Sequence, residues 1–88
     1  MAWAIRFTLR ADKDFSKLGS SDRGRVLSFL NDRIGPLDDP RSLGKALQGA
    51  YSGMWRYRVG DIRIIVRIEF DVLVVVVLEV GNRREVYR

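Results

Sequence analysis

The 88-residue sequence contains neither cysteine nor histidine. The lack of cysteine excludes a disulfide framework and thiolate metal sites. The lack of histidine excludes a histidine general base, a Ser-His-Asp triad and the usual zinc sites. The longest apolar run, VLVVVVL at 72–78, is far shorter than the ~20 residues of a membrane-spanning helix. We therefore expect a cytoplasmic protein that has no contact with a membrane.

Positive charge dominates the composition, with sixteen Lys and Arg against eleven Asp and Glu and a net charge of +5. From residue 56 onward every cation is an arginine. The guanidinium group is always charged, and its planar fork suits bidentate binding of phosphate. Nucleic acid is therefore a candidate partner. The length and the hydrophobic content of 47% are those of one small folded domain, so we expect residues 1–88 to form a single domain.

The first part of the chain changes from strand to helix periodicity. Residues 2–9, AWAIRFTL, alternate with period two and predict a half-buried strand that ends with Leu9 on its inner face. Residues 12–34 predict two helices, and Ser20 or Ser21 is expected to cap the second one. The apolar stripe of that helix is predicted at Val26, Leu27, Leu30 and Ile34, and its wet side at Arg23, Arg25, Asp32 and Arg33.

The second half of the chain predicts a loop followed by three strands. The loop, residues 36–52, is rich in Pro, Gly, Asp and Ser, and Arg41 and Lys45 make it basic. The strands are expected at about 53–59, 62–69 and 72–80. Their two turns are predicted at Gly60-Asp61 and Phe70-Asp71.

A two-residue turn at Gly60-Asp61 would place Arg58 directly opposite Arg63, with Arg56 next along the same face. Like charges that face each other across two strands are destabilising by roughly 0.2–1 kcal/mol. Either these arginines are solvated, or an anion normally lies between them. The other face of the hairpin is apolar and predicts contact with the helices; it carries Trp55, Tyr57, Val59, Ile62, Ile64 and Val66.

The last strand is apolar on both faces, which is typical of a central strand. We therefore expect the sheet order first, fourth, third, second strand. The predicted fold class is α+β, with β-α-α-β-β-β order and a helix hairpin on one face of a small, mostly antiparallel four-stranded sheet. The other face would be partly basic and partly apolar, at Val74, Val76 and Leu78, and an uncovered face of this kind favours a partner protein.

Three motifs carry a family resemblance: DDPRSLGKALQG, WRYRVGDIRII and the closing VGNRREVYR. With them the whole chain resembles the RelE family of bacterial toxins, in the RelE/ParE superfamily. The resemblance implies a toxin of a type II toxin–antitoxin system. Such a toxin enters the ribosomal A site and cuts mRNA without a metal or other cofactor. It implies a RelB-like antitoxin that neutralises the toxin, and operator DNA as a partner only through the complex of the two.

The resemblance also implies the site residues. The expected catalytic residues are Arg63, Arg83 and Tyr87, and the expected substrate-binding residues are Arg56, Arg58 and Arg84. The sequence departs from the family in two places. Arg56 and Arg58 stand where the best-known members carry lysine, and arginine cannot lose a proton to act as a base. Asn82 stands where many relatives have histidine or lysine, and its amide cannot titrate.

Three other functions stay open. A ParE-like toxin would share the fold and inhibit DNA gyrase without cutting RNA, although the ParE side of the superfamily generally lacks the full arginine and tyrosine set. A nucleic-acid-binding module without chemistry would show strong salt-dependent binding to free RNA or DNA. A degenerate toxin would bind its antitoxin and no longer cut.

Overall fold

The computed structural model describes residues 2–82. These residues form one mixed sheet of five strands, in the order β1-β5-β4-β3-β2. β1 and β5 are parallel, and the other neighbours are antiparallel. The strands are β1 (Ala4–Phe7), β2 (Lys45–Ala46), β3 (Trp55–Val59), β4 (Ile62–Glu69) and β5 (Val74–Asn82). The α+β class and the order of the four main strands are as predicted, and β2 is an addition at one edge.

The first helix, α1, spans Leu9–Ser16 and begins directly after β1. Thr8 caps it, because the Thr8 hydroxyl accepts a hydrogen bond from the Ala11 amide at 3.1 Å. The prediction that Leu9 belongs to a strand and faces inward is wrong. Leu9 is the first residue of the helix and is 83% exposed.

The second helix, α2, spans Ser20–Ser28 and continues as a wider π-helical segment over Phe29–Ile34. Its N-cap is Gly19, which has no side chain to cap it, so the predicted serine cap is wrong. The apolar stripe is confirmed at three positions that are fully buried: Val26, Leu30 and Ile34. Leu27 was predicted in the stripe but is 41% exposed.

The segment predicted as a plain loop, residues 36–52, contains regular structure. It forms 3₁₀ turns at Pro40–Leu43 and Gly49–Tyr51, with β2 between them. Asp39 begins the first turn by accepting hydrogen bonds from the backbone and side chain of Arg41. The segment lies close to β3, since a Cβ on Gly44 would come within 3.0 Å of the Tyr57 ring.

The β3–β4 hairpin turns at Gly60-Asp61, as predicted. Gly60 has φ +59°, which glycine adopts at little cost and which fits the first central position of a type II′ turn. The β4–β5 turn is different from the prediction. It uses four residues, 70–73, because Leu73 takes a left-handed conformation with φ +55° and leaves the strand.

The core lies between the helices and one face of the sheet. Its sheet residues are Tyr57, Ile62, Ile64, Val66, Val75, Val77 and Val80. Trp55, predicted to be in the core, is only partly buried against it. A register shift occurs opposite Ile65 and Val66, where β5 has one extra residue, Leu78. Within residues 2–82, no helix has the length and apolar character needed to cross a membrane.

Candidate functional site

The face of the sheet opposite the helices carries two cross-strand pairs of like charge. Arg58 on β3 pairs with Arg63 on β4, as predicted from the turn. Lys45 on β2 pairs with Arg56 on β3. Arg56 is two residues from Arg58 along β3, so this second pair lies on the same face as the first. Four cations therefore lie side by side over three neighbouring strands. Each pair opposes folding by an amount on the order of 0.2–1 kcal/mol.

These cations differ in their access to solvent. Arg58 is exposed, Arg56 is partly buried, and Arg63 is only 7% exposed. The Arg56 Nε is buried and has no hydrogen-bond partner within the part of the chain that the structure describes. Gly81 on β5 pairs with Arg63, so the residue directly opposite this arginine on that strand has no side chain. The site therefore combines two arginines with limited access to solvent, Arg56 and Arg63, with one exposed arginine, Arg58.

Removing an arginine from water is costly unless a compensating group meets it. The arginines stay charged under all physiological conditions, so this cost is not relieved by losing a proton. A phosphate above Arg58 and Arg63 would separate the two like charges and accept hydrogen bonds from both. Cations held in place before the reaction can also stabilise charge that develops in a transition state.

A cleft of about 490 Å³ lies beside this face, where β3 extends beyond the short strand β2. Its walls come from three parts of the chain: the π-helical segment, the loop that leads into β2, and β3 itself. The lining residues are Phe29, Arg33, Ser42, Leu43, Gly44, Lys45, Arg56 and Arg58. Arg56 and Arg58 thus belong both to the basic face and to the cleft.

Tyr57 lies between these arginines in sequence but points into the core. Its hydroxyl donates a hydrogen bond to the Pro40 carbonyl at 2.6 Å. Burial, and then the nearby Asp39 carboxylate, raise the pKa of Tyr57 well above its ordinary value. The pKa of Asp39 is lowered, mainly by side-chain hydrogen bonds from Arg41. Tyr57 therefore stays protonated at neutral pH, and the Pro40 carbonyl holds its hydroxyl in the core.

The structure brings together three of the residues predicted for the site: Arg56, Arg58 and Arg63. Three others lie outside the described residues: Arg83, Arg84 and Tyr87. Arg67 lies farther along the same face, where its Nε is 3.3 Å from the Glu69 carboxylate.

Sequence reasoning missed two cations of the cleft. Lys45 was predicted in a basic loop, and nothing in that loop indicates that a two-residue strand pairs it with Arg56. Arg33 was predicted on the solvent side of a helix, and its exposure confirms this prediction. Its closeness to β3 depends on how the helix packs, and helical spacing alone does not reveal it.

The chain is similar to known proteins over nearly its whole length. The family model for the ParE toxin of type II toxin–antitoxin systems, parDE, matches residues 5–87. Toxin RelG of Mycobacterium tuberculosis is 33% identical over 89 residues, which cover 100% of this chain and 99% of the relative. The chain is a RelE/ParE-superfamily toxin of a type II toxin–antitoxin system.

Solved structures of similar toxins share the fold. The toxin–antitoxin complex RelBE2 of Mycobacterium tuberculosis matches with a TM-score of 0.86 and 28% identity, over 97% of this toxin and 95% of that chain. The intact RelBE complex of E. coli matches with a TM-score of 0.74 and 25% identity, over 92% and 96%. In both, the similar chain belongs to a complex of a toxin with an antitoxin.

Proposed function

We propose that this toxin is a ribosome-dependent endoribonuclease that cleaves mRNA in the ribosomal A site and so inhibits translation. The observation that carries the proposal is the pairing of Arg58 with the buried Arg63, with Arg56 beside them. Like charges that face each other across two strands oppose folding, and a bound phosphate would offset this repulsion. Its support from similarity is the resemblance to RelE-type chains that have been solved in complexes with antitoxins.

The proposed reaction uses the 2′-hydroxyl of the RNA as its nucleophile and needs no metal. The hydroxyl loses its proton and attacks the adjacent phosphorus. The bond from phosphorus to the 5′-oxygen then breaks, and that oxygen takes up a proton. The products are a 2′,3′-cyclic phosphate and a free 5′-hydroxyl.

Arg63 and Arg83 are proposed to stabilise the charge that builds up on the phosphorane oxygens. Arg56, Arg58 and Arg84 are proposed to bind phosphates of the substrate. Because arginine does not give up its proton, none of these side chains can act as the general base. Tyr87, or a group of ribosomal RNA, is the proposed proton-transfer group.

Primer extension on mRNA under translation in a purified ribosome system tests this function. We expect cuts that map to the A site, that require ribosomes, and that Arg63→Ala slows by ~10²–10³. Arg67→Ala is the matched control, because it removes the same charge from the same face at a residue that contacts Glu69. Intact mRNA at toxin concentrations that still arrest growth would overturn the proposal.

We further propose a RelB-like antitoxin as the partner that neutralises this toxin, with operator DNA bound only through their complex in the cytoplasm. The half-buried Val74, Val76 and Leu78 lie along β5 and offer an apolar strip for this contact. Co-expression of the cognate antitoxin should rescue growth. Val76→Asp should weaken the purified complex, and unchanged affinity would remove β5 from the interface.

Inhibition of DNA gyrase is the second candidate, because the matching family model is that of the ParE toxin. This function predicts that the toxin blocks supercoiling by purified gyrase and leaves mRNA intact. The Arg63→Ala variant separates the two functions further. The nuclease proposal requires this variant to lose toxicity, whereas inhibition by a protein–protein contact elsewhere on the toxin would retain it.

A further inference from the structure

The cleft beside β3 contains charges that the proposed cleavage reaction does not use. Two of its four cations, Arg56 and Arg58, also belong to the basic face. The other two are Lys45, which pairs with Arg56 from β2, and Arg33, which comes from the helix. None of the described residues that line the cleft is acidic. An anion in the cleft would therefore meet positive charge from three separate elements.

Arg33 lies near an aromatic ring at the wall of this cleft. Its guanidinium carbon lies 6.0 Å from the centre of the Phe29 ring, within the range of a cation–π contact. The Phe29 ring in turn packs edge-on against Tyr57, with 5.6 Å between ring centres. Because Tyr57 is fully buried, the core holds Phe29, and Phe29 positions Arg33.

The helix has an unusual form at this place. Residues 29–34 make π-helical hydrogen bonds, and the Gly35 amide donates to the Leu30 carbonyl at 2.9 Å. Such segments are rare and are frequently found at functional sites. Here the π-helical segment carries both Phe29 and Arg33, which form one wall of the cleft.

We propose that this cleft binds a backbone phosphate of the substrate RNA that flanks the phosphate being cleaved, with Arg33 and Lys45 as its ligands. The inference rests on the proposed RNA cleavage and adds to it a second phosphate position. The RNA would run from the Arg58–Arg63 pair across Arg56 and over the sheet edge into the cleft. Arg56 joins the two positions because it pairs with Lys45 and lines the cleft itself.

Kinetics with ribosomes that carry a defined mRNA in the A site test this proposal. Arg33→Gln keeps most of the aliphatic stem and removes the charge. We expect it to raise the half-saturating ribosome concentration on the order of 10-fold, as for loss of a charge-assisted hydrogen bond, with little change in the limiting cleavage rate. Lys13→Ala removes one exposed charge from α1, away from the cleft, and should change neither quantity.

Methylphosphonate linkages in the mRNA identify the phosphate that is bound. A neutral linkage at the right position should weaken the wild-type toxin as much as Arg33→Gln does. At that linkage Arg33→Gln should have no further effect, because the two changes remove the same contact. Effects that simply add at every flanking linkage would overturn the assignment to the substrate strand. If Arg33→Gln and Lys13→Ala raise the half-saturating ribosome concentration equally, the proposal that the cleft binds a phosphate is refuted.

A binding measurement keeps the result independent of catalysis. An RNA tetranucleotide with 2′-O-methyl groups cannot be cleaved, and it can be titrated into the free ¹⁵N-labelled toxin. We expect a saturable shift of the Arg33 Nε–Hε signal, which Lys45→Ala weakens. If the toxin cleaves no mRNA but this signal shifts, the proposed function fails, while binding of an RNA phosphate in the cleft is supported. A signal that does not shift, or that inorganic phosphate shifts at the same concentration, would overturn the RNA-phosphate site.

Discussion

Replacing Arg58 by glutamate should make this toxin more stable and inactive. Arg58 pairs with Arg63, and in a two-residue hairpin this second pair from the turn is a non-hydrogen-bonded pair, whose side chains approach closely. The repulsion of about 0.2–1 kcal/mol would become an attraction of similar size. The expected gain in the free energy of unfolding is therefore about 0.4–2 kcal/mol. For a domain of this size, each kcal/mol raises Tm by roughly 4–8 °C.

Urea unfolding at low and high salt provides the measurement. The gain should shrink in ~1 M salt, because the screening length falls to roughly 3 Å. Arg6→Glu makes the same change in net charge, but Arg6 pairs with Val76 and faces no cation across the strands. Arg58→Glu should also lose RNA cleavage. If Arg58→Glu is no more stable than Arg6→Glu at low salt, the two arginines do not repel in the free toxin, and the stability argument for a phosphate between them is refuted.

Other predictions concern the supports of the site. Tyr57→Phe leaves the buried Pro40 carbonyl without its 2.6 Å hydrogen bond and should cost about 1–3 kcal/mol in urea unfolding, whereas an unchanged midpoint would contradict that bond. Because burial raises the pKa of Tyr57, wild-type stability should fall as the pH rises above about 10, where the unfolded tyrosine ionises, and Tyr57→Phe should remove this part of the loss. Gly60→Ala should destabilise by about 1–2 kcal/mol because φ is +59°, while Gly24→Ala, in a helix with open space around its Cβ position, should stabilise by about 0.4–1 kcal/mol.

The sequence allowed the central hairpin to be predicted because local rules determine it. Glycine at position 60 fixes a two-residue turn, and the turn fixes which residues pair. Period-two alternation then places the arginines on one face. The same reasoning failed at the β4–β5 turn, since Leu73 adopts a left-handed conformation that its residue type does not favour. Tertiary packing overrides the local preference there.

The cleft could not be predicted, because it depends on contacts between distant parts of the chain. Lys45 reaches Arg56 through a strand of two residues, which is too short to show a periodic pattern. Arg33 reaches the sheet edge only because the helix packs its Phe29 ring on Tyr57. The sequence shows that the helix with Arg33 and the loop with Lys45 are basic. No local pattern predicts that these two segments lie next to each other in the fold.

The extra residue in β5 connects the packing of the core with access to the site. With unbroken pairing from Val77, Glu79 would lie opposite Ile64 in the core, and Val80 would lie opposite Arg63. The bulge at Leu78 shifts the later residues by one position, so that Val80 pairs with Ile64 and Gly81 pairs with Arg63. Val80 is thereby buried, and the residue next to the buried arginine is the one that has no side chain. Bulges commonly redirect side chains beside active sites. One inserted residue therefore both keeps a carboxylate out of the core and places a residue without a side chain opposite Arg63.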